Sequence, residues 1–164
     1  MKTLIKFSLL GIALTTLSAC ANVDNAWWPP EKSAISTVKE ETHILSVDAL
    51  FKFDQFTLSA VLPGDKDNLD KFISSLKDKS PRIASITVIG HTDRLGTDSY
   101  NDNLGLQRAE TIKAYLVSEG ISSLINTQSQ GKRQPVTTNC TGSGEKLRAC
   151  LQPDRRIEVK IAYQ

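Results

Sequence analysis

The tightest constraint on this chain is a β-branched run that stops at a glycine: Ile86, Thr87, Val88 and Ile89 are followed by Gly90. Such a run reads as a short buried strand and the glycine as its end. Downstream, Ala109, Ile112 and Leu116 recur at helical spacing, and Arg108 lies one turn before Ile112, on the edge of the face that must be buried. The segment therefore builds a strand-to-helix connection with Asp93 just beyond the C-terminal end of the strand, where ligands of α/β sheets gather. A carboxylate and a guanidinium presented at one rim can grip a ligand carrying an ammonium and a carboxylate, since each forms charge-assisted hydrogen bonds with the opposite sign. The spacing of Asp93 and Arg108 equally allows the two to pair with each other.

The flanking segments supply the rest of a domain. Leu45, Val47, Ala49, Phe51 and Phe53 alternate with residues that include Ser46, Asp48, Lys52 and Asp54, which predicts a strand with one buried face. Pro63-Gly64 precedes a stripe of Leu69, Phe72, Ile73 and Leu76 that stops before Ser80-Pro81, which predicts a helix. A strand over residues 83–89 follows, then the helix carrying Arg108, closed near Glu119 by Gly120 in the C-cap place. Residues 124–130 read weakly as a strand, 131–153 as a loop, and Ile157, Val159, Ile161 and Tyr163 alternate as a closing strand. The expected fold is α+β: a β-α-β-α-β two-layer sandwich with two main helices packed on a mixed sheet.

The turn G-H-T-D-x-x-G at 90–96 is followed by Asn101, Leu104, Arg108, Ala109, Ile112 and Leu116, and later by P-D-R-R-I-E-V at 153–159. Together these closely resemble the signature of the OmpA-like domain, by which Gram-negative outer-membrane proteins hold peptidoglycan. The resemblance covers about residues 44–164 and implies the fold just described. It implies that Asp93 takes the ammonium and Arg108 the carboxylate of the diaminopimelate in the stem peptide, with Asn101, Asp54 and Thr92 as accessory contacts. Gly105 departs from the Ser that many members carry and weakens the start of the helix relative to Ser.

The N-terminus indicates where such a domain would live. Lys2 and Lys6 precede an apolar run over residues 7–17 that is too short for a confident bilayer span, and Leu17-Ser18-Ala19-Cys20 looks like a lipobox. The expectation is a signal peptide over 1–19, an acylated Cys20 with a tether over 20–42, and a binding domain over 43–164. Ala21 rather than Asp after the cysteine implies, from the resemblance to lipoproteins, the periplasmic face of the outer membrane. Pro29-Pro30 and the polar residues around them favour an extended tether, in which Trp27 and Trp28 suit the membrane-water boundary better than a protein dock.

Lys2 and Lys6 account for the whole formal charge of +2, so the processed chain is neutral, which argues against nucleic acid as a partner. Three cysteines divide into one lipid acceptor and one pair, Cys140 and Cys150, which an oxidising periplasm should close into a disulfide. The family resemblance extends to a disulfide in this loop. So short a loop gains ~2–3 kcal/mol in the chain-entropy model, so the bond is expected to pin a connection while ligand binding rests on other residues. No catalytic constellation assembles: His43 and His91 are the imidazoles, no G-x-S-x-G elbow is present, and a metal site from His91, Asp93, Asp98 and Asp102 matches no standard spacing. Asp98 and Asp102 instead suit the first turn of a helix, Asp154 a turn, and Arg155 and Arg156 a solvated or ligand-rim face. Neither an enzyme nor a cofactor or metal is expected. The function implied is noncovalent tethering of outer membrane to diaminopimelate-type peptidoglycan. The alternative is a wall-gripping part of a Tol-like, secretion or adhesion assembly, in which contact with envelope proteins is the main role.

Overall fold

The computed structural model describes residues 39–46, 51, 56–57 and 63–164. In chain order these form β1 (Glu40–Ser46), α1 (Pro63–Lys79), β2 (Ile83–His91), α2 (Asp98–Ser118), β3 (Leu124–Gly131), α3 (Gly144–Cys150) and β4 (Arg156–Tyr163), with short 3-10 turns at Ser80–Arg82 and Gln152–Asp154. Cys20, Trp27, Trp28 and Asp54 lie outside the described residues. The sheet order is β1-β4-β2-β3, with β4 antiparallel to both neighbours and β2 parallel to β3, so the expected mixed sheet of an α+β fold is present.

Strand alternation decides where the core lies. Ile86 and Val88 on β2 and Ile157, Val159 and Ile161 on β4 are fully buried against Leu69, Ile73 and Leu76 of α1 and Ala109, Ile112 and Leu116 of α2. Each large aliphatic removed from water in this way contributes ~1.5–3 kcal/mol. The other face of β4 carries Arg156, Glu158 and Lys160, as a period of two requires.

Helix α2 begins at Thr97, whose hydroxyl accepts the Tyr100 N–H at 3.3 Å, so the cap is Thr97 rather than the aspartates that follow. It ends on a Schellman turn: Ile121 N–H donates to Leu116 O and Gly120 N–H to Val117 O, both at 3.0 Å, with Gly120 at φ +88°. Its buried stripe runs Asn101, Gly105, Arg108, Ala109, Ile112, Leu116. Gly105 is in that stripe because the helix backbone lies directly on the end of β2. A Cβ on Gly90 would sink into the Gly105 carbonyl, and one on Gly105 would collide with Ser129 Oγ and sit 3.1 Å from Gly90 O.

Two expectations need correction. β1 occupies Glu40–Ser46 and so starts five residues before Leu45, where the expected alternation begins, and Phe51 is a buried core residue at a bend. The ladder with β4 sets Glu40 opposite Ala162 and Ser46 opposite Arg156, the first residue of β4. The half-buried positions of β1 are Glu41, His43, Leu45 and Ser46, and the polar ones find partners: Ser46 Oγ accepts Gln152 Nε2 at 3.1 Å. Tyr163 Oη donates to Glu41 at 2.7 Å and Lys79 Nζ at 3.1 Å, and the His43 ring packs on Phe72 with centroids 4.7 Å apart. Hydrogen bonds from Tyr163, then Lys79 and His43, hold the Glu41 carboxyl down to about 2. Secondly, the expected loop over 131–153 contains α3, which ends on Cys150, joined to Cys140 across a Cα–Cα distance of 5.6 Å.

The backbone contact between α2 and β2 makes an asymmetric prediction. Gly90→Ala should lower unfolding free energy by about 3 kcal/mol or more, because the colliding atom belongs to rigid helix backbone. Gly105→Ala should cost much less, since a hydroxyl can turn aside and helix propensity returns up to ~1 kcal/mol. Urea denaturation followed by circular dichroism checks this; equal losses would show that the contact is not rigid.

Candidate functional site

β2 ends at His91, and the chain leaves it through Thr92 and Asp93 into the turn that starts α2. A cleft of about 230 Å³ opens there, lined by Thr92, Asp93, Leu95, Gly96, Tyr100, Asn101, Leu104, Arg108, Arg148 and Arg155. The strand end and the helix stripe thus bring Asp93 and Arg108 to one cavity, and both are buried, at 8% and 3% exposure. Buried charge persists only where it is paired or hydrogen-bonded. Asp93 Oδ1 accepts the Leu95 N–H at 2.9 Å, a local Asx turn, and Oδ2 accepts Arg155 Nη1 at 2.9 Å. The guanidinium paired with Asp93 is therefore Arg155, while that of Arg108 stands over the Phe51 ring at 5.8 Å from its centroid.

The accessory residues divide by what their polar atoms do. Asn101 is a clamp: its Nδ2 donates to Leu95 O at 2.8 Å and Thr97 O at 3.0 Å, fixing the turn that presents Asp93. Thr92 is 4% exposed, and its Oγ1 has no hydrogen-bond partner among the described residues. Leu95 and Tyr100 are exposed at the rim.

The disulfide-closed loop forms one wall of this cleft, which sequence reading did not anticipate. Arg94 Nη2 donates to Cys140 O, and Arg155 Nη1 donates to Arg148 O at 3.0 Å as well as to Asp93. Arg155 is a rim residue as expected, but Arg156 is not: it is 6% exposed and donates through Nε (2.9 Å) and Nη2 (2.8 Å) to Glu158 Oε1. The signal was the period of two, which sets residues 156 and 158 on one face of β4. Asp154 is buried and accepts Val136 N–H, Thr137 N–H and Thr137 Oγ1 at 2.7, 2.9 and 2.6 Å, stapling the loop before α3. Of the quartet considered for a metal, the three aspartates are each held by another partner, Asp93 by Arg155. Asp98 pairs with Lys132 at 2.6 Å, which holds its carboxyl below the usual range, and Asp102 pairs with Arg133 at 2.5 Å.

His91 is 1% exposed and neither ring nitrogen makes a hydrogen bond among the described residues, although Glu158 Oε1 lies 3.5 Å from Nε2. Burial first, then the charge of Arg156, push the imidazole down to about 4 against the opposing pull of Glu158. A histidine easier to protonate unfolded than folded contributes nothing adverse above its unfolded value near 6.5, and destabilises as pH falls from there toward about 4. Chemical denaturation across that window should show stability declining with acid, and His91→Asn should flatten the decline. An unchanged slope would remove His91 as its source.

A family model described as the OmpA family matches residues 50–148, a span that holds both Asp93 and Arg108. Among curated relatives, Outer membrane protein A of Shimwellia blattae is 39% identical over 129 residues, covering 76% of this chain and 52% of that protein. The chain spans about half the length of the curated relatives it matches, or less. Among solved structures, the peptidoglycan-associated lipoprotein from Burkholderia pseudomallei is similar with a TM-score of 0.53 and 28% identity, covering 74% of this chain and 89% of that one. The cell wall anchor of the T6SS from Pseudomonas aeruginosa shares the fold with a TM-score of 0.58 at 19% identity, covering 76% of this chain and 82% of that one. With a strand-to-helix cleft of this construction inside the matched span, the chain belongs to the OmpA family.

Proposed function

We propose that this chain binds peptidoglycan noncovalently, through the diaminopimelate of the stem peptide, and tethers the outer membrane to the wall through an acylated Cys20. The observation that carries the reading is the burial of Asp93 and Arg108 in the lining of one cleft. Diaminopimelate presents an ammonium and a carboxylate on its side-chain α-carbon, and each charge meets its opposite here. Asp93 already holds one backbone N–H and Arg155, but a carboxylate has about four lone-pair sites, so two remain for the ammonium. Arg108 supplies a planar fork for the carboxylate, held from behind by the Phe51 ring. Family membership supports the reading, as does similarity to a protein named for its association with peptidoglycan. The lipobox and the tether read from the sequence ahead of β1 supply the membrane end of the link.

Removing either partner leaves a ligand charge desolvated and unpaired, at a cost of about 1.5–3 kcal/mol, so affinity should fall at least tenfold. Asp93→Ala and Arg108→Ala should each abolish sedimentation with purified diaminopimelate-type peptidoglycan while circular dichroism stays native. Walls built with lysine lack the second carboxylate and should bind the unmutated chain poorly. Folded variants that still sediment, or equal binding to both walls, would overturn the assignment in favour of a protein-contact role. Any soluble form for this assay must begin ahead of Glu40, where β1 starts, rather than at residue 43.

The anchor is tested separately. Cys20→Ala should abolish fatty-acid labelling and leave an unprocessed or soluble periplasmic form; a variant that remains labelled and membrane-bound contradicts the lipobox.

A further inference from the structure

The turn that carries Asp93 is tied to the disulfide-closed loop at two points. Arg155 Nη1 donates to Asp93 Oδ2 at 2.9 Å and to Arg148 O at 3.0 Å, so a single nitrogen joins the carboxylate to the main chain of α3. Arg94, the neighbour of Asp93 in the chain, donates through Nη2 to Cys140 O. Both acceptors lie in the segment 140–150, which the Cys140–Cys150 bond closes on itself. Asp93 and Arg155 keep 11% and 13% of their side-chain surface, whereas Asp102 and Arg133 keep 43% and 51%, so the first pair is set by protein groups while the second is open to solvent. With Oδ1 on the Leu95 N–H and Oδ2 on Arg155, both oxygens of Asp93 are held, and its remaining lone pairs keep one orientation. A group fixed before its ligand arrives loses less freedom on binding.

We propose that Arg155 is a positioning residue for Asp93 and that the disulfide-closed loop is its footing, so that the Cys140–Cys150 bond governs how strongly the cleft takes the ammonium of its ligand. This rests on the diaminopimelate reading and adds to it the groups that set one half of the site. Neither Arg155 nor the cysteines need touch the ligand. Because they act on Asp93, their loss weakens recognition of the ammonium and leaves that of the carboxylate, which falls to Arg108 over the Phe51 ring, as it was. A brace of the fold alone would weaken both together.

The test is calorimetric titration of the full chain with three synthetic peptides, each L-alanyl-γ-D-glutamyl followed by a different third residue. That residue is meso-diaminopimelate, or 2-aminopimelate, which keeps the side-chain carboxylate without the ammonium, or lysine, which keeps an ammonium without the carboxylate. The ratio of the first affinity to the second reads Asp93, and the ratio of the first to the third reads Arg108. In Arg155→Ala the ammonium ratio should fall about tenfold, toward one, while the carboxylate ratio holds and circular dichroism stays native. Arg155→Lys should restore most of it, since both bonds come from one nitrogen and an ammonium has three donors. Cys140→Ser with Cys150→Ser should lower the ammonium ratio about threefold, and by less when Arg155 is already alanine, because the two changes act through one path. If Arg155→Ala loses its native circular dichroism, Arg155→Gln and the cysteine variant read the same ratio. An unchanged ammonium ratio in Arg155→Ala, an equal loss in both ratios, or tighter binding of the diaminopimelate peptide overturns the positioning role; a cysteine variant with an unchanged ratio overturns the footing. An unmutated chain that binds all three peptides alike overturns the diaminopimelate reading as well, whereas one that discriminates while Arg155→Ala keeps its ratio sinks the positioning role alone.

Discussion

The contact of Gly105 with Gly90 is the constraint on which the site depends. With no side chain on either residue, the backbone of α2 rests on the last pairs of β2. Asp93 lies three residues beyond one glycine and Arg108 three residues beyond the other, so fixing the crossing point fixes both charged groups together. The interior of α2 carries a residue of low helix propensity, a cost of up to ~1 kcal/mol, in exchange for a site whose two halves cannot drift apart.

Around that pair the charges are held in sequence rather than singly. Arg155 joins Asp93 to the Arg148 carbonyl, Arg94 reaches the Cys140 carbonyl, and the disulfide closes the loop that bears both acceptors. Asn101 holds the opposite edge of the turn. Asp93 and Arg155 are tolerable as ionised groups at so little exposure because each is bonded to the other and to a main-chain atom. The loop is thus a wall of the cleft as well as a brace for a long connection.

Much of this was legible in the sequence for a physical reason: strands and helices whose inward residues are all apolar announce their period. Ile86 and Val88, Ala109, Ile112 and Leu116, and Ile157, Val159 and Ile161 occupy the core at the places their spacing predicts. β1 was misplaced because its inward residues include Glu41 and His43, which are acceptable there only with Tyr163, Lys79 and Phe72 beside them, and such partners are invisible to local pattern. Arg155 as the mate of Asp93, and Arg148 as part of the lining, were missed likewise, since both arise from a loop whose path is set by tertiary hydrogen bonds and a crosslink.

The register of β1 has a mechanical consequence. Glu40, where the chain enters the sheet, faces Ala162, while Ser46 faces Arg156, at the end of β4 that lies beside the cleft. The entry point and the ligand site are therefore at opposite ends of the strands, separated by about 20 Å of ladder at ~3.4 Å per residue. A pull between a held ligand and the N-terminal segment runs along the strand axis and loads the seven β1 pairs in shear, all at once. Had the chain entered at the other end, the same force would peel those pairs apart one after another. Under the proposed tethering role, the order of β1 and β4 determines how much tension the domain bears before its first strand gives way.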